Sequence, residues 1–215
     1  MKTPLLQLMI FVIILLCFSI LMYSCDGTKK QNEQFFTDSG DIGDCKLEGY
    51  MTYDPVKGIY ALTGAGANMW GEKDAFHFVW KEIDGDFSLS STIAFEGEGV
   101  NTHRKIGIQI RESLDANSRY ADIAVHGDGL TSLQYRMTKG GATEELVSGN
   151  RAPNQVQLKR QGDHIIMKTG TNIIPDKSDG EIEIKLPSRC YVGIYICSHE
   201  DNILETAYFS NVEFN

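Results

Sequence analysis

The sequence predicts an all-β fold of antiparallel strands, a sandwich or a barrel, behind one N-terminal hydrophobic helix. Three observations predict it. Apolar and polar side chains alternate with period two in segment after segment, glycine-bearing pairs separate those segments, and no apolar stripe at helical spacing runs longer than about two turns beyond residue 40.

The first element is the apolar run from Leu5 to Leu21, preceded by a lone Lys2 and closed by Ser24-Cys25. A charge, an apolar stretch and a small-residue boundary in that order read as an export signal. Leu21-Met22-Tyr23-Ser24-Cys25 resembles a loose bacterial lipobox, with Met22 and Tyr23 departing from the usual pattern. It implies cleavage before Cys25 and lipidation of that thiol. The alternative is an uncleaved signal anchor, because the run approaches the roughly 20 residues that cross a bilayer. Either way the expected location is the cell envelope, extracytoplasmic and membrane-anchored. Residues 25 to 40 are polar and aperiodic, as a flexible tether would be. The domain itself is expected over residues 41 to 215.

Strands follow in order. Phe76, Phe78 and Trp80 share one parity, with Trp80 expected in the core beside the two phenylalanines, and Phe87, Leu89, Ile93 and Phe95 share the next. Ile106, Ile108 and Ile110 alternate with Lys105, Gln109 and Arg111; Leu133, Tyr135 and Met137 alternate with Gln134 and Arg136; Val156 and Leu158 alternate with glutamines and Lys159. Tyr191 to Cys197 and Glu205 to Phe214 complete the series. Each such strand is expected to have one wet face. Asp84-Gly85, Asp128-Gly129, Gly140-Gly141, Gln161-Gly162 and Asp179-Gly180 supply the positive-φ residues that hairpins need.

The 215 residues carry a net charge of −9, and the only charged residue of the first 24 is Lys2. So acidic a chain is unsuited to nucleic acid, which demands clustered Lys and Arg. Beyond Cys17 and Cys25, the cysteines are Cys45, Cys190 and Cys197. Cys190 and Cys197 lie seven apart, hence on opposite faces of one strand. The open alternatives are buried free thiols or one bridge from Cys45 to either.

The densest landmark is Gly64-Ala65-Gly66-Ala67-Asn68-Met69-Trp70-Gly71-Glu72-Lys73-Asp74, followed by Gly85-Asp86-Phe87. Glycines such as Gly71 allow tight turns, Trp70 is expected to anchor the loop on the core, and Asp74 to accept hydrogen bonds from turn amides. With Asp41-Ile42-Gly43, Lys105-Ile106-Gly107-Ile108, Ile110-Arg111-Glu112-Ser113, Ala152-Pro153, Tyr191-Val192-Gly193 and Ser198-His199 in order, the stretch resembles secreted bacterial sandwich domains of the concanavalin A-like lectin and glucanase superfamily, in the accessory group called regulation-of-enolase-like. The resemblance implies an antiparallel jelly-roll sandwich, although Asn68 departs from the usual Asp of that group and its Ser-x-Asp-Gly-x-x-Trp hairpin is missing.

That superfamily contains glucanases, which need two carboxylates flanking a glycosidic bond. Glu82-Ile83-Asp84-Gly85-Asp86 is the nearest match, but its spacing is wrong and Gly85 suggests a solvated turn. The five histidines, His77, His103, His126, His164 and His199, have no ligand spacing. Asp38, Asp41 and Asp44 could meet calcium, though the pattern supports no cofactor. What remains is a binding face: Lys105, Gln109 and Arg111 on one side of a strand, Gln134 and Arg136 beside them if the strands are neighbours, with Tyr120 and His77 as stacking candidates. The expectation is therefore a non-catalytic tethered sandwich that binds a polysaccharide or other envelope component. The alternatives are a protein-binding scaffold lipoprotein and a glycoside hydrolase acting through Glu82.

Overall fold

The computed structural model describes residues 32–215. The signal or anchor segment, Cys25 and the first part of the expected tether lie outside the described residues.

Fourteen strands form two seven-stranded sheets, with antiparallel pairing throughout. The first runs β1 (Asp38–Ile42), β4 (Phe76–Asp84), β13 (Arg189–Cys197), β6 (Lys105–Arg111), β7 (Tyr120–His126), β8 (Thr131–Arg136) and β9 (Glu144–Val147). The second runs β12 (Gly180–Glu183), β11 (His164–Gly170), β10 (Gln155–Gln161), β5 (Phe87–Phe95), β14 (Glu200–Phe214), β3 (Ile59–Gly66) and β2 (Tyr50–Asp54). The inward residues Ile106, Ile108, Ile110, Ile123, Leu133 and Ile194 of the first sheet share a core with Leu62, Leu89, Leu158, Met167 and Phe209 of the second. Removing each such side chain from water contributes roughly 1.5–3 kcal/mol, which drives the face-to-face stacking.

Several expectations change. Residues 32 to 40 are built into the domain rather than forming a tether: Phe36 is 1% exposed, Phe35 stacks on Phe214 at 4.8 Å, and the Phe35 amide donates to the Tyr60 hydroxyl. Gly180 starts β12 instead of a hairpin, with Asp179 accepting from the Thr169 amide and hydroxyl. Cys45, Cys190 and Cys197 are free thiols.

The largest difference concerns faces. On β4 it is His77 and Val79 that lie opposite the inward Ile196 and Ile194. Phe76 and Phe78 point outward into a second apolar cluster with Ile42, Met69, Tyr195 and Cys197, against which Trp80 packs partly buried. Every residue of β6, β7 and β8 is buried, so these central strands have no wet face. A cover lies over the outer side of the first sheet, and that cover positions the site.

Candidate functional site

Strand register arranges the outer face of the first sheet in rows. Cys197, Lys105 and His126 form one; Tyr195, Gly107, Ala124 and Ser132 the next; then Gln109, Asp122, Gln134 and Glu145; then Arg111, Tyr120 and Arg136. Five of the proposed binding residues, together with Tyr120, therefore do share one face. His77 does not join them. It lies on the inner side, where its Nδ1 is 2.8 Å from Asp41 Oδ1 and burial lowers its pKa.

The cover is the loop between β3 and β4. Gly66 at φ +132° admits the close return of the chain, since a Cβ there would sit 2.0 Å from the Ala75 carbonyl. Ala75 N donates to Asn68 O at 2.7 Å, closing the loop base. At the far row its Asp74 takes two hydrogen bonds from Arg136, at 2.6 and 3.1 Å, and one from Arg111 at 3.3 Å, all fully buried. Gly71 O accepts from Arg136 Nη2 at 2.9 Å and from the Thr143 hydroxyl at 3.0 Å, and the Tyr120 hydroxyl donates to Met69 O at 2.8 Å. Arg111 also donates to the carbonyls of Ser113 and Asp115. Both guanidiniums and the Tyr120 hydroxyl are thus engaged in holding the loop. Met69, not Trp70, is the loop's buried anchor; Trp70 is 45% exposed.

Beside this clasp the face opens into a cleft of about 360 Å³, lined by Asn68, Trp70, His103, Lys105, His126, Gln134, Glu145 and His199. Lys105 Nζ donates to Asn68 Oδ1 at 2.8 Å. Gln134 Nε2 lies between His126 Nε2, at 3.4 Å, and Glu145 Oε2, at 3.5 Å. Beneath and around the cleft, buried polar atoms lack partners: Gln109 Nε2, both oxygens of Asp122, His126 Nδ1, Ser132 Oγ and Gln134 Oε1. Of these residues His126 and Gln134 line the cleft, and the others lie beneath it, closed off from solvent. The Tyr195 hydroxyl is directed to Ile123 O at 3.2 Å, with the Asp122 carboxyl beside it. Burial pushes the Asp122 carboxyl up to about 7, with the Tyr195 hydroxyl and then Lys105 opposing. Burial pushes His126 down to about 4, helped by the neighbouring Lys105 charge.

His103, His126, His199, Asn68, Asp122 and Glu145 were missed as site residues because they come from separate segments and share no spacing. A signal existed only on β7, where Tyr120, Asp122 and His126 have the parity opposite to Ile123. The Glu82 group lies elsewhere: Asp84 pairs with Arg189 at 3.0 Å, Asp86 accepts from Gly162 N, and Glu82 is solvated. Among the described residues no group of His, Cys, Asp or Glu is arranged to hold a metal, and Asp41 is committed to His77 and the Gly49 amide.

No family model matches the chain, and no curated protein is significantly similar to it. Solved structures are. A functionally unknown protein from Saccharomyces cerevisiae superposes with a TM-score of 0.59 at 16% identity, over 77% of this chain and 91% of that one. An alginate lyase, A1-II′, gives 0.56 at 8% identity, over 82% and 93%. The β-glucanase of Bacillus licheniformis gives 0.54 at 11% identity, over 87% and 95%. The expectation of a non-catalytic domain is corrected here. It rested on missing catalytic motifs, yet most of the described neighbours sharing this sandwich are glycan-processing enzymes, and sites built from alternate positions on several strands leave no linear motif. At these identities the likeness speaks for architecture alone: the chain has the two-sheet antiparallel jelly-roll sandwich that these structures share.

Proposed function

We propose that this protein is a glycan-cleaving enzyme of the glycoside hydrolase kind, whose substrate chain lies in the cleft beside the clasp. The observation that carries the reading is the cleft itself, where the polar side chains of Asn68, Lys105, His126, Gln134 and Glu145 line one opening beside the exposed Trp70 ring. Sugar hydroxyls both donate and accept, which suits these amide, ammonium, imidazole and carboxylate groups, and the exposed Trp70 at the lip offers a ring face for stacking. Neighbours of the same architecture include a β-glucanase and an alginate lyase, which supports the class without fixing the sugar.

Cleaving a glycosidic bond by hydrolysis requires a proton given to the departing oxygen and a proton taken from the attacking water. His126 and Glu145, on either side of the Gln134 amide, are the groups we assign to those transfers. Asp122, in the same row as Gln134 and Glu145, keeps its proton to about pH 7 and holds positive charge on Lys105 in check only above that pH. The test is reducing-end release from a panel of polysaccharides. His126→Ala and Glu145→Gln are each expected to lower the rate by about 10²-fold or more. Glu82→Gln should leave it unchanged. Loss of activity in Glu82→Gln, or full activity in Glu145→Gln, would overturn the assignment.

We further place the enzyme outside the cytoplasm on a membrane, tethered through Cys25 or its preceding apolar run, on the strength of the sequence. Cys25→Ser is expected to move the protein from the membrane fraction to the soluble one if lipid is the tether, whereas an uncleaved anchor leaves it in the membrane.

A further inference from the structure

Resting on the reading of the cleft as a glycan site, we propose that the end formed by His103, His126, His199 and Lys105 recognises an anionic substituent on the sugar, a uronate carboxylate or a sulfate ester, and takes up protons as it binds.

The charge of this corner opposes that of the molecule. In a chain of net charge −9, three imidazoles and an ammonium converge on one end of a small cleft. The His103 ring centroid is 6.0 Å from that of His126 and 5.6 Å from that of His199. They come from three segments: the stretch before β6, the end of β7, and the turn between β13 and β14. That turn holds His199 at φ 62°, a conformation non-glycine residues seldom adopt.

Among the described residues no acid makes an ion pair with His103, His126, His199 or Lys105. Lys105 pairs with the neutral Asn68 amide, and among the described residues it makes no ion pair. Asp74, beneath, is saturated by Arg111 and Arg136. Asp122 stays protonated up to about pH 7, and the Cys197 thiol is pushed by burial to about 11. Glu200 accepts from the Asn101 amide, Asp128 caps its own turn at Leu130 N, and Glu145 stands across the cleft beside Gln134. Arg104 turns away to Glu205 at 2.6 Å.

Protonating His126 here is opposed by burial first, then by Lys105, with His103 and His199 adding to it and Asp128 opposing; His199 is lowered by burial, then by Lys105 and His103. An anionic group placed among the rings offsets those repulsions with attraction to each imidazolium and to the Lys105 ammonium. Binding therefore raises the imidazole pKa values and consumes protons. Affinity is gained as pH falls from 7.5 to 5.5 and lost in the opposite direction.

The test is calorimetric titration of the full chain with three probes, an oligogalacturonate, a sulfated galactan oligosaccharide and a neutral β-glucan oligosaccharide, at pH 5.5 and 7.5 in buffers of differing ionisation enthalpy. An anionic probe is expected to bind at least tenfold more tightly at pH 5.5 than at 7.5, with net proton uptake. His103→Gln combined with His199→Gln should flatten that dependence, while the exposed position of His103 and half-buried position of His199 keep the fold intact. Preference for the galacturonate identifies the carboxylate as the recognised group, and preference for the sulfated probe identifies the ester. Tight, pH-independent binding of the neutral probe with no proton uptake overturns this inference and leaves the glycan site standing. Failure of all three probes, joined to no release from any polysaccharide, overturns both.

Discussion

Asp122 and His126 lie two strand turns apart on β7 and face the same covered side, yet burial drives them in opposite directions. Asp122 is raised from an ordinary 3.8 to about 7, so its folded form holds a proton that the unfolded chain releases. Its stabilising contribution is present below about pH 4 and is lost as pH rises through 7, a span of roughly 4 kcal/mol at 1.36 kcal/mol per pKa unit. His126, lowered from 6.5 to about 4, behaves inversely: its contribution is present above 6.5 and lost as pH falls through 4. Asp122→Asn is therefore expected to gain on the wild type in urea denaturation as pH rises from 5 to 8. A constant difference across that range would contradict the buried, unpaired carboxyl. Trp70 makes the complementary case. Because it is exposed, Trp70→Ala should shift stability by no more than about 0.5 kcal/mol while weakening sugar binding severalfold. A large loss of stability would mean the ring is an anchor after all.

The loop between β3 and β4 is the element on which the site depends. It covers the outer face of β6 to β8, closes one end with the Asp74 clasp and leaves the other end open as the cleft. Asp74 is the single carboxylate between two buried guanidiniums, so Asp74→Ala strands both charges. Breaking a buried ion pair in this way costs about 3–5 kcal/mol, and we expect that loss in equilibrium denaturation. Replacing the whole group, as Asp74→Leu with Arg111→Met and Arg136→Met, should recover most of it. A single-variant cost below about 1 kcal/mol would show that the loop is held by Met69 and its backbone contacts alone. The loop's landmark residues were legible in the sequence, but their roles were exchanged: Trp70 looked like the anchor because large aromatics usually bury, and Met69 filled the hole instead.

At the scale of the whole molecule, the domain begins earlier than its polar composition suggests. Phe35 and Phe36 lock the stretch before β1 onto Tyr60 and Phe214. A chain starting at Asp41 is expected to be several kcal/mol less stable than one starting at Asn32, since two phenylalanines lose burial worth roughly 1.5–3 kcal/mol each. Equal melting temperatures for the two would refute this. Two aromatic residues within a polar stretch carry no period, which is why the sequence read as a spacer.

Alternation, glycine turns and missing helical stripes sufficed to determine an antiparallel all-β domain, sandwich or barrel, because the period of a strand is local and each segment announces it separately. They also determined that Lys105, Gln109 and Arg111 share a face, since parity is a property of one strand. Only the tertiary structure decided which face is the interior, which strands are neighbours and what the polar row meets. Phe76 and Phe78 look like core by pattern alone, but a loop from elsewhere in the chain makes their outward side equally dry. The cleft exists for the same reason. Its histidines, Asn68 and Glu145 are brought together by strand order and loop closure, and long-range contacts of that kind leave no spacing in a linear sequence to be read.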